Sequence, residues 1–148
     1  MEYGLIGEHL GHSFSKDIHG KIADYSYELK EIDKADLDEF MVTKNFKGIN
    51  VTIPYKQDVI PYLDYVDPAA LEIGAVNTIV NKDGHLSGYN TDYLGMKSMI
   101  EYNGISIDGG KVLILGTGGT SKTATAVAKS LGASKIIHVS RSGKDGAI

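Results

Sequence analysis

The most restrictive stretch of this 148-residue chain lies near its end. Lys111–Leu115 (KVLIL) is a tight apolar run of strand character, followed at once by Gly116-Thr-Gly118-Gly119-Thr120-Ser-Lys-Thr-Ala124. Residues 123–131 then place Ala124, Val127, Ala128 and Leu131 at i, i+3, i+4 and i+7, the spacing of one helix face. Lys135–Val139 (KIIHV) is apolar again. Strand, helix and strand joined by short loops make a right-handed βαβ unit of a parallel sheet. Gly116 permits the tight turn after the first strand. Gly118 and Gly119 let the backbone approach a pyrophosphate, where the N–H groups opening a helix, with Thr120 beside them, offer positive potential. No Gly-Lys-Ser/Thr is present, so the turn is not a P-loop. Ser140-Arg141-Ser142 ends the second strand, where such a fold meets the adenosine ribose. An acid there would repel a 2′-phosphate, whereas Arg flanked by hydroxyls suits one. The cofactor expectation is therefore NADP.

Only one such unit fits after residue 111, and a doubly wound fold needs about five or six strands. The segment reads as the opening of a nucleotide domain, and the chain as an N-terminal fragment. Two strands built to be buried on both faces would expose apolar surface and unpaired edges. Residues 111–148 are therefore expected to be loosely ordered, or stabilised by self-association through the incomplete sheet or by another chain. The polar, Gly-containing stretch 103–110 suggests a division into residues 1–104 and 105–148.

Upstream, apolar runs recur with turn residues between them. Tyr3–Gly7 reads as a buried strand, and Ser15 as the cap of a helix carrying Ile18, Ile22 and Tyr25 on one face. Residues 27–32 alternate like a strand, and 35–44 look helical with Leu37, Phe40 and Met41 inward. Residues 48–53 form a β-branched strand stopped by Pro54. Short helical pieces at 57–63 and 68–74 precede a hairpin of 75–81 and 86–89 around Lys82-Asp83-Gly84-His85. Thr91 or Asp92 caps a helix reaching about Tyr102. The whole is an α/β chain, a three-layer substrate-type domain followed by an incomplete Rossmann-type domain.

Charge and composition narrow the function classes. Fifteen Lys+Arg against 19 Asp+Glu leave −4, which argues against a broad nucleic-acid surface. There is no Cys, so no disulfide or Cys-ligated metal. No spaced His pair suggests a metal site. No apolar run approaches the ~20 residues of a membrane helix, and no secretory signal opens the chain. A cytoplasmic protein acting on a small molecule, with no nucleic-acid or membrane partner, is the expectation.

Polar residues end several apolar strands. Asn50 and Thr52 share a parity in Asn50-Val-Thr52-Ile-Pro54-Tyr-Lys56, and buried amides cost stability unless paired. Asn77-Thr78 and Asn90-Thr91-Asp92 repeat the theme, and Ser13 and Ser15 bracket an early turn. By spacing alone Lys56 reads as a surface lysine, Asp92 as a helix cap, and the two serines as turn residues. Tyr93 and Lys97 match a Tyr-x-x-x-Lys pair. They precede the Gly-rich turn rather than follow it, so they read as helix neighbours at i, i+4.

In order, Ser-x-Ser, Asn-Val-Thr-x-Pro-x-Lys, Gly-Ala-Val-Asn-Thr, Gly-x-Asn-Thr-Asp and Gly-x-Gly-Gly stand at 13–15, 50–56, 74–78, 88–92 and 116–119. This series resembles the shikimate dehydrogenase family. The resemblance implies a substrate domain and an NADP domain that together reduce 3-dehydroshikimate reversibly to shikimate, a step of aromatic amino acid biosynthesis. It implies Lys56 and Asp92 as the catalytic pair. It implies Ser13 and Ser15 on the substrate carboxylate, and Thr52, Asn77 and Asn90 on carboxylate or ring hydroxyls. Lys16 stands where family members commonly carry Pro, and the family's chains are longer than this one. The fragment by itself is expected to show little or no activity. Alternatives are a quinate/shikimate enzyme and a non-catalytic module that binds shikimate. A folate-type methylene dehydrogenase of similar architecture is disfavoured by the Asn-Val-Thr-x-Pro-x-Lys and Asn-Thr-Asp series.

Overall fold

Strand β1 (Tyr3–Gly7) is an interior strand of the larger sheet, and both of its faces are apolar. Side chains alternate across a strand. Ile6 therefore points into one buried cluster, with Leu37, Met41, Val51, Val59 and Leu86 among its members, while Leu5 joins Leu10 and Tyr27 on the opposite face. The computed structural model describes residues 1–117 and 119–140.

The chain leaves β1 through helix α1 (Ser15–Ile22) and returns as β2 (Tyr27–Glu31), parallel to β1. Helix α2 (Leu37–Thr43) then carries it to β3 (Gly48–Val51), parallel to β1 on the other side. Beyond β3 come a 3-10 turn (Ile60–Tyr62), the two-residue strand β4 (Tyr65–Val66) and helix α3 (Pro68–Ile73). The hairpin β5 (Thr78–Lys82) and β6 (His85–Tyr89) completes a six-stranded sheet of order β2-β1-β3-β5-β6-β4. β5 is antiparallel to β3 and β6. The hairpin turns through Asp83 and Gly84, both at positive φ (54° and 87°), as a two-residue turn of the I′ kind requires.

Helix α4 (Thr91–Tyr102) follows, then β7 (Lys111–Leu115), α5 (Gly119–Ser130) and β8 (Lys135–Val139). β7 and β8 pair in parallel with register Lys111↔Lys135 through Leu115↔Val139, the expected βαβ unit. Val127 and Ala128 of α5 are buried, and Leu113 and Leu115 of β7 are exposed. The chain divides into two compact units, Met1–Asn90 and Thr91–Ile148. The division after 104 expected from composition follows loop chemistry, whereas α4 packs on α5 and so groups with the second unit.

Several local expectations need correction. Ser15 is the first helical residue and not the cap; Phe14 holds the cap position, without a side-chain cap bond. Helix α1 buries none of its residues, and Ile18 and Ile22 face outward. The third apolar strand stops at Val51, two residues early, because the main chain turns at 52–55, where Tyr55 N–H donates to Thr52 O (3.0 Å). Only a 3-10 turn forms within 57–63, and β4 was not foreseen because two residues carry no period. Helix α5 starts at Gly119, so part of the Gly-rich turn is already helical.

Candidate functional site

In the first unit the candidate residues converge on one edge of the sheet. Ser13 and Ser15 follow the carboxyl end of β1, and Thr52 and Lys56 follow that of β3. Asn90 follows β6, which runs the same way as β3, and Asn77 precedes β5, which runs against it. Strand order 2-1-3 places β1 between two crossovers that leave on opposite sides. The crevice at the carboxyl ends there is the habitual ligand position of open α/β sheets.

Main-chain bonds hold this edge together. Thr52 N–H donates to Ile6 O (2.9 Å), Val51 N–H to Asn77 O (2.8 Å) and Asn77 N–H to Tyr89 O (3.0 Å). Val76 N–H donates to Lys56 O (2.7 Å), which ties the loop bearing Lys56 to the segment bearing Asn77. Asn90 is buried, and its Nδ2 donates to Ala75 O (2.9 Å). Gly7 is required for close approach: a Cβ there would stand 2.6 Å from Thr52 Cγ2 and 2.8 Å from Leu10 Cδ2. Tyr55 is completely buried, and its hydroxyl donates to Ile32 O. Burial pushes its phenol pKa upward. Tyr55 thus clamps the turn between Thr52 and Lys56.

The side chains at this edge form a directional hydrogen-bond chain. Tyr27 Oη donates to Asn50 Oδ1 (2.7 Å), Asn50 Nδ2 to Thr78 Oγ1 (3.1 Å), and Thr78 Oγ1 to Asn77 Oδ1 (3.0 Å). Burial, with Tyr25 beside it, raises the Tyr27 pKa to about 12. Ser13 Oγ accepts from Ser15 N–H (3.2 Å), so the two serines share one turn. The buried amide of Asn50 is thereby paired, as its place in an apolar strand demands. Tyr27 was missed from sequence. A Tyr opening an alternating strand carries no polar signal, and its reach across β1 to β3 is a property of the sheet.

Asp92 lies in the first turn of α4, in the second unit, two residues along the chain from Asn90. Tyr93 and Lys97 also lie on α4, and Lys97 pairs with Glu101 one turn on (4.0 Å), as an ordinary helix-surface lysine does.

In the second unit the turn after β7 bears on the dinucleotide expectation. Gly116 has φ 113°, a conformation side chains resist, and its N–H donates to Val139 O (2.8 Å). This closes the strand end against β8 and delivers the chain to α5 at Gly119. Gly116, Gly119 and Thr120 fit a pyrophosphate at a helix start, and Ser140 follows β8. Gly118, Arg141 and Ser142 lie outside the described residues. Among the described residues no group of His, Cys, Asp and Glu could hold a metal, and no helix is long and apolar enough to cross a membrane.

Residues 5–79 match the family model for the shikimate dehydrogenase substrate binding domain. The chain is 47% identical over 153 aligned positions to the NADP(+) shikimate dehydrogenase of Halothermothrix orenii, a match covering 97% of this chain and 53% of that protein. It superposes on shikimate dehydrogenase 1 of Peptoclostridium difficile with TM-score 0.86 and 39% identity, over 98% of this chain and 57% of that one. It superposes on the Thermus thermophilus shikimate 5-dehydrogenase solved with NADP(H) and shikimate with TM-score 0.82 and 29% identity, over 96% and 57%. The chain therefore spans about half the length of the relatives it matches.

Proposed function

The chain belongs to the shikimate dehydrogenase family, and we propose that it carries the substrate-binding half of an NADP-dependent enzyme that interconverts 3-dehydroshikimate and shikimate. The observation that carries this reading is the convergence of Ser13, Ser15, Thr52, Lys56, Asn77 and Asn90 on one sheet edge of the first unit. Neutral hydroxyls and amides in that number suit a small polyol bearing a carboxylate. Ser13 and Ser15 take the carboxylate, and Thr52, Asn77 and Asn90 take the remaining oxygens. A site built to bond each hydroxyl discriminates against analogues that lack one, because its own groups are then left unpaired.

Reduction adds a hydride to the C3 carbonyl carbon and a proton to its oxygen. Gly116, Gly118, Gly119 and Thr120 would hold the pyrophosphate of NADPH, and Ser140, Arg141 and Ser142 its 2′-phosphate; when bound, that cofactor would supply the hydride. Lys56 stabilises the developing oxyanion and delivers the proton, and Asp92 is assigned by its motif as the second member of the catalytic pair. In the oxidising direction Lys56 receives the proton from the same oxygen. Turnover belongs to the whole enzyme, and the 148-residue chain is assigned binding alone.

Titration of shikimate into the 148-residue chain, followed by backbone amide NMR, tests this. Saturable shifts centred on Ser13, Ser15, Thr52, Lys56, Asn77 and Asn90 are expected. A folded chain whose amides do not respond refutes the substrate assignment. In the complete enzyme Lys56→Ala should lower the rate by about 10²–10⁴-fold, the range of a lost acid–base group.

A further inference from the structure

Ser13 lies in the loop between β1 and α1, and Ser15 opens α1, yet that helix buries none of its residues. Apolar packing of the helix therefore does not place the two serines. A carboxylate reaches into the loop from the neighbouring strand: Glu31 Oε1, at the end of β2, accepts from Leu10 N–H (2.7 Å). The parallel register sets Glu31 beside Gly7, the last residue of β1, and Ile32 N–H donates to Gly7 O (3.0 Å). The carboxylate thus stands where the loop departs from the sheet. By strand parity Glu31 shares the face of Tyr27, whose apolar cluster includes Leu10.

From Leu10 the bonds run on to the serines. Leu10 O accepts from Ser13 N–H (2.9 Å), which closes a turn, and Ser13 Oγ accepts from Ser15 N–H (3.2 Å). A hydroxyl used as an acceptor still has its proton to give, and a ligand carboxylate needs donors. The Leu10 side chain, 5% exposed, is held by burial, which is non-directional. The bond from its N–H is directional, and a charged acceptor makes it stronger than a neutral one. Among the described residues no other group accepts from that N–H.

Resting on the substrate reading above, we propose that Glu31 is a positioning residue: its carboxylate fixes the loop at Leu10 and thereby sets the Ser13 and Ser15 hydroxyls in register for a ligand carboxylate. It acts through Leu10 and the turn, not on the ligand.

Two substitutions separate the acceptor from the charge. Glu31→Gln keeps an oxygen for the Leu10 N–H and loses the charge, whereas Glu31→Met keeps the length and loses both. Glu31 is exposed on an edge strand, so both variants should fold, and Glu31→Ala checks that added apolar surface is not the cause of any effect. In the ligand-free 148-residue chain, Glu31→Met should move the backbone amide resonances of Leu10, Ser13 and Ser15 and leave that of Asn90 in place. Shikimate should bind Glu31→Met about 10-fold more weakly, the low end for a lost bond to a charged acceptor, and Glu31→Gln within about threefold of the unsubstituted chain. Glu28→Ala, on the same edge strand, should leave binding unchanged. Unmoved Leu10, Ser13 and Ser15 amides overturn the proposal, as do unchanged binding in Glu31→Met, equal losses in Glu31→Met and Glu31→Gln, or the same loss in Glu28→Ala. So does hydrogen exchange at the Leu10 amide of the unsubstituted chain as fast as at His9, whatever the variants do. Absence of binding in the unsubstituted chain would instead refute the substrate reading, and the amide resonances would still decide whether Glu31 orders the loop.

Discussion

Tyr55→Phe removes a single oxygen, and the structure specifies what that oxygen does. Tyr55 is completely buried, and its hydroxyl donates to the carbonyl of Ile32, itself only 5% exposed. Its own N–H donates to Thr52 O (3.0 Å), and its O accepts from Val59 N–H (3.1 Å), so the residue fixes the turn that presents Thr52 and Lys56. Deleting the hydroxyl leaves a buried carbonyl without its donor, a cost of about 1–3 kcal/mol. With a urea slope of about 1–1.5 kcal/mol/M for a unit of this size, the midpoint should fall by roughly 0.7–3 M. Tyr62→Phe is the matched control. Its hydroxyl donates to Asp38 Oδ1 at the exposed surface (2.9 Å), where loss should stay within about 0.5 kcal/mol. The assay is urea unfolding of the 148-residue chain, read from amide cross-peaks of the first unit. Equal midpoints for the two variants would refute the argument that burial of the acceptor sets the cost.

Gly88→Ala should destabilise the first unit by about 1–3 kcal/mol, because the new Cβ would stand 2.4 Å from Leu63 Cδ1 and 3.1 Å from Val76 Cγ2. Leu63→Ala added to it should recover part of that loss in the same urea assay, and failure to recover would discount the steric cause. Tyr27, raised from its ordinary 10 to about 12, favours the folded state while neutral. Its contribution, about 2–3 kcal/mol, should be complete below pH 10 and vanish as pH rises through 12, visible as phenolate absorbance appearing together with unfolding. Asp64 accepts from Leu86 N–H (2.7 Å), and that bond holds its carboxyl below the ordinary carboxylate range, with Lys44 adding to the effect. Its support of the β6 strand should persist as acid is added and be lost only as pH falls through that lowered pKa. A carboxyl carbon NMR titration with an ordinary Asp midpoint would contradict this.

Much of the architecture was legible because it rests on local chemistry. Lys111–Leu115 and Lys135–Val139 are apolar runs bounded by Gly and Ser, and both are strands at those limits. Asp83-Gly84 between alternating segments is a hairpin turn by its own backbone preferences. The orientation of α1 was not legible. Ile18 and Ile22 have the spacing of a buried face, but in the fold they point outward, since His19, stacked on Tyr27 and bonded to Tyr25, holds the helix to the sheet instead.

The candidate site divides the same way. Motif order in the sequence identified Ser13, Ser15, Thr52, Lys56, Asn77 and Asn90, residues up to 77 positions apart that the chain cannot by itself bring together. Strand order 2-1-3 and the antiparallel return of β5 gathered them at one edge. Residue chemistry thus determined which groups are available to a ligand and where strands, turns and helices start. Tertiary structure alone decided that Tyr27, silent in sequence, reaches from β2 across β1 to bond Asn50, because such partners are distant in the chain and close only in the sheet.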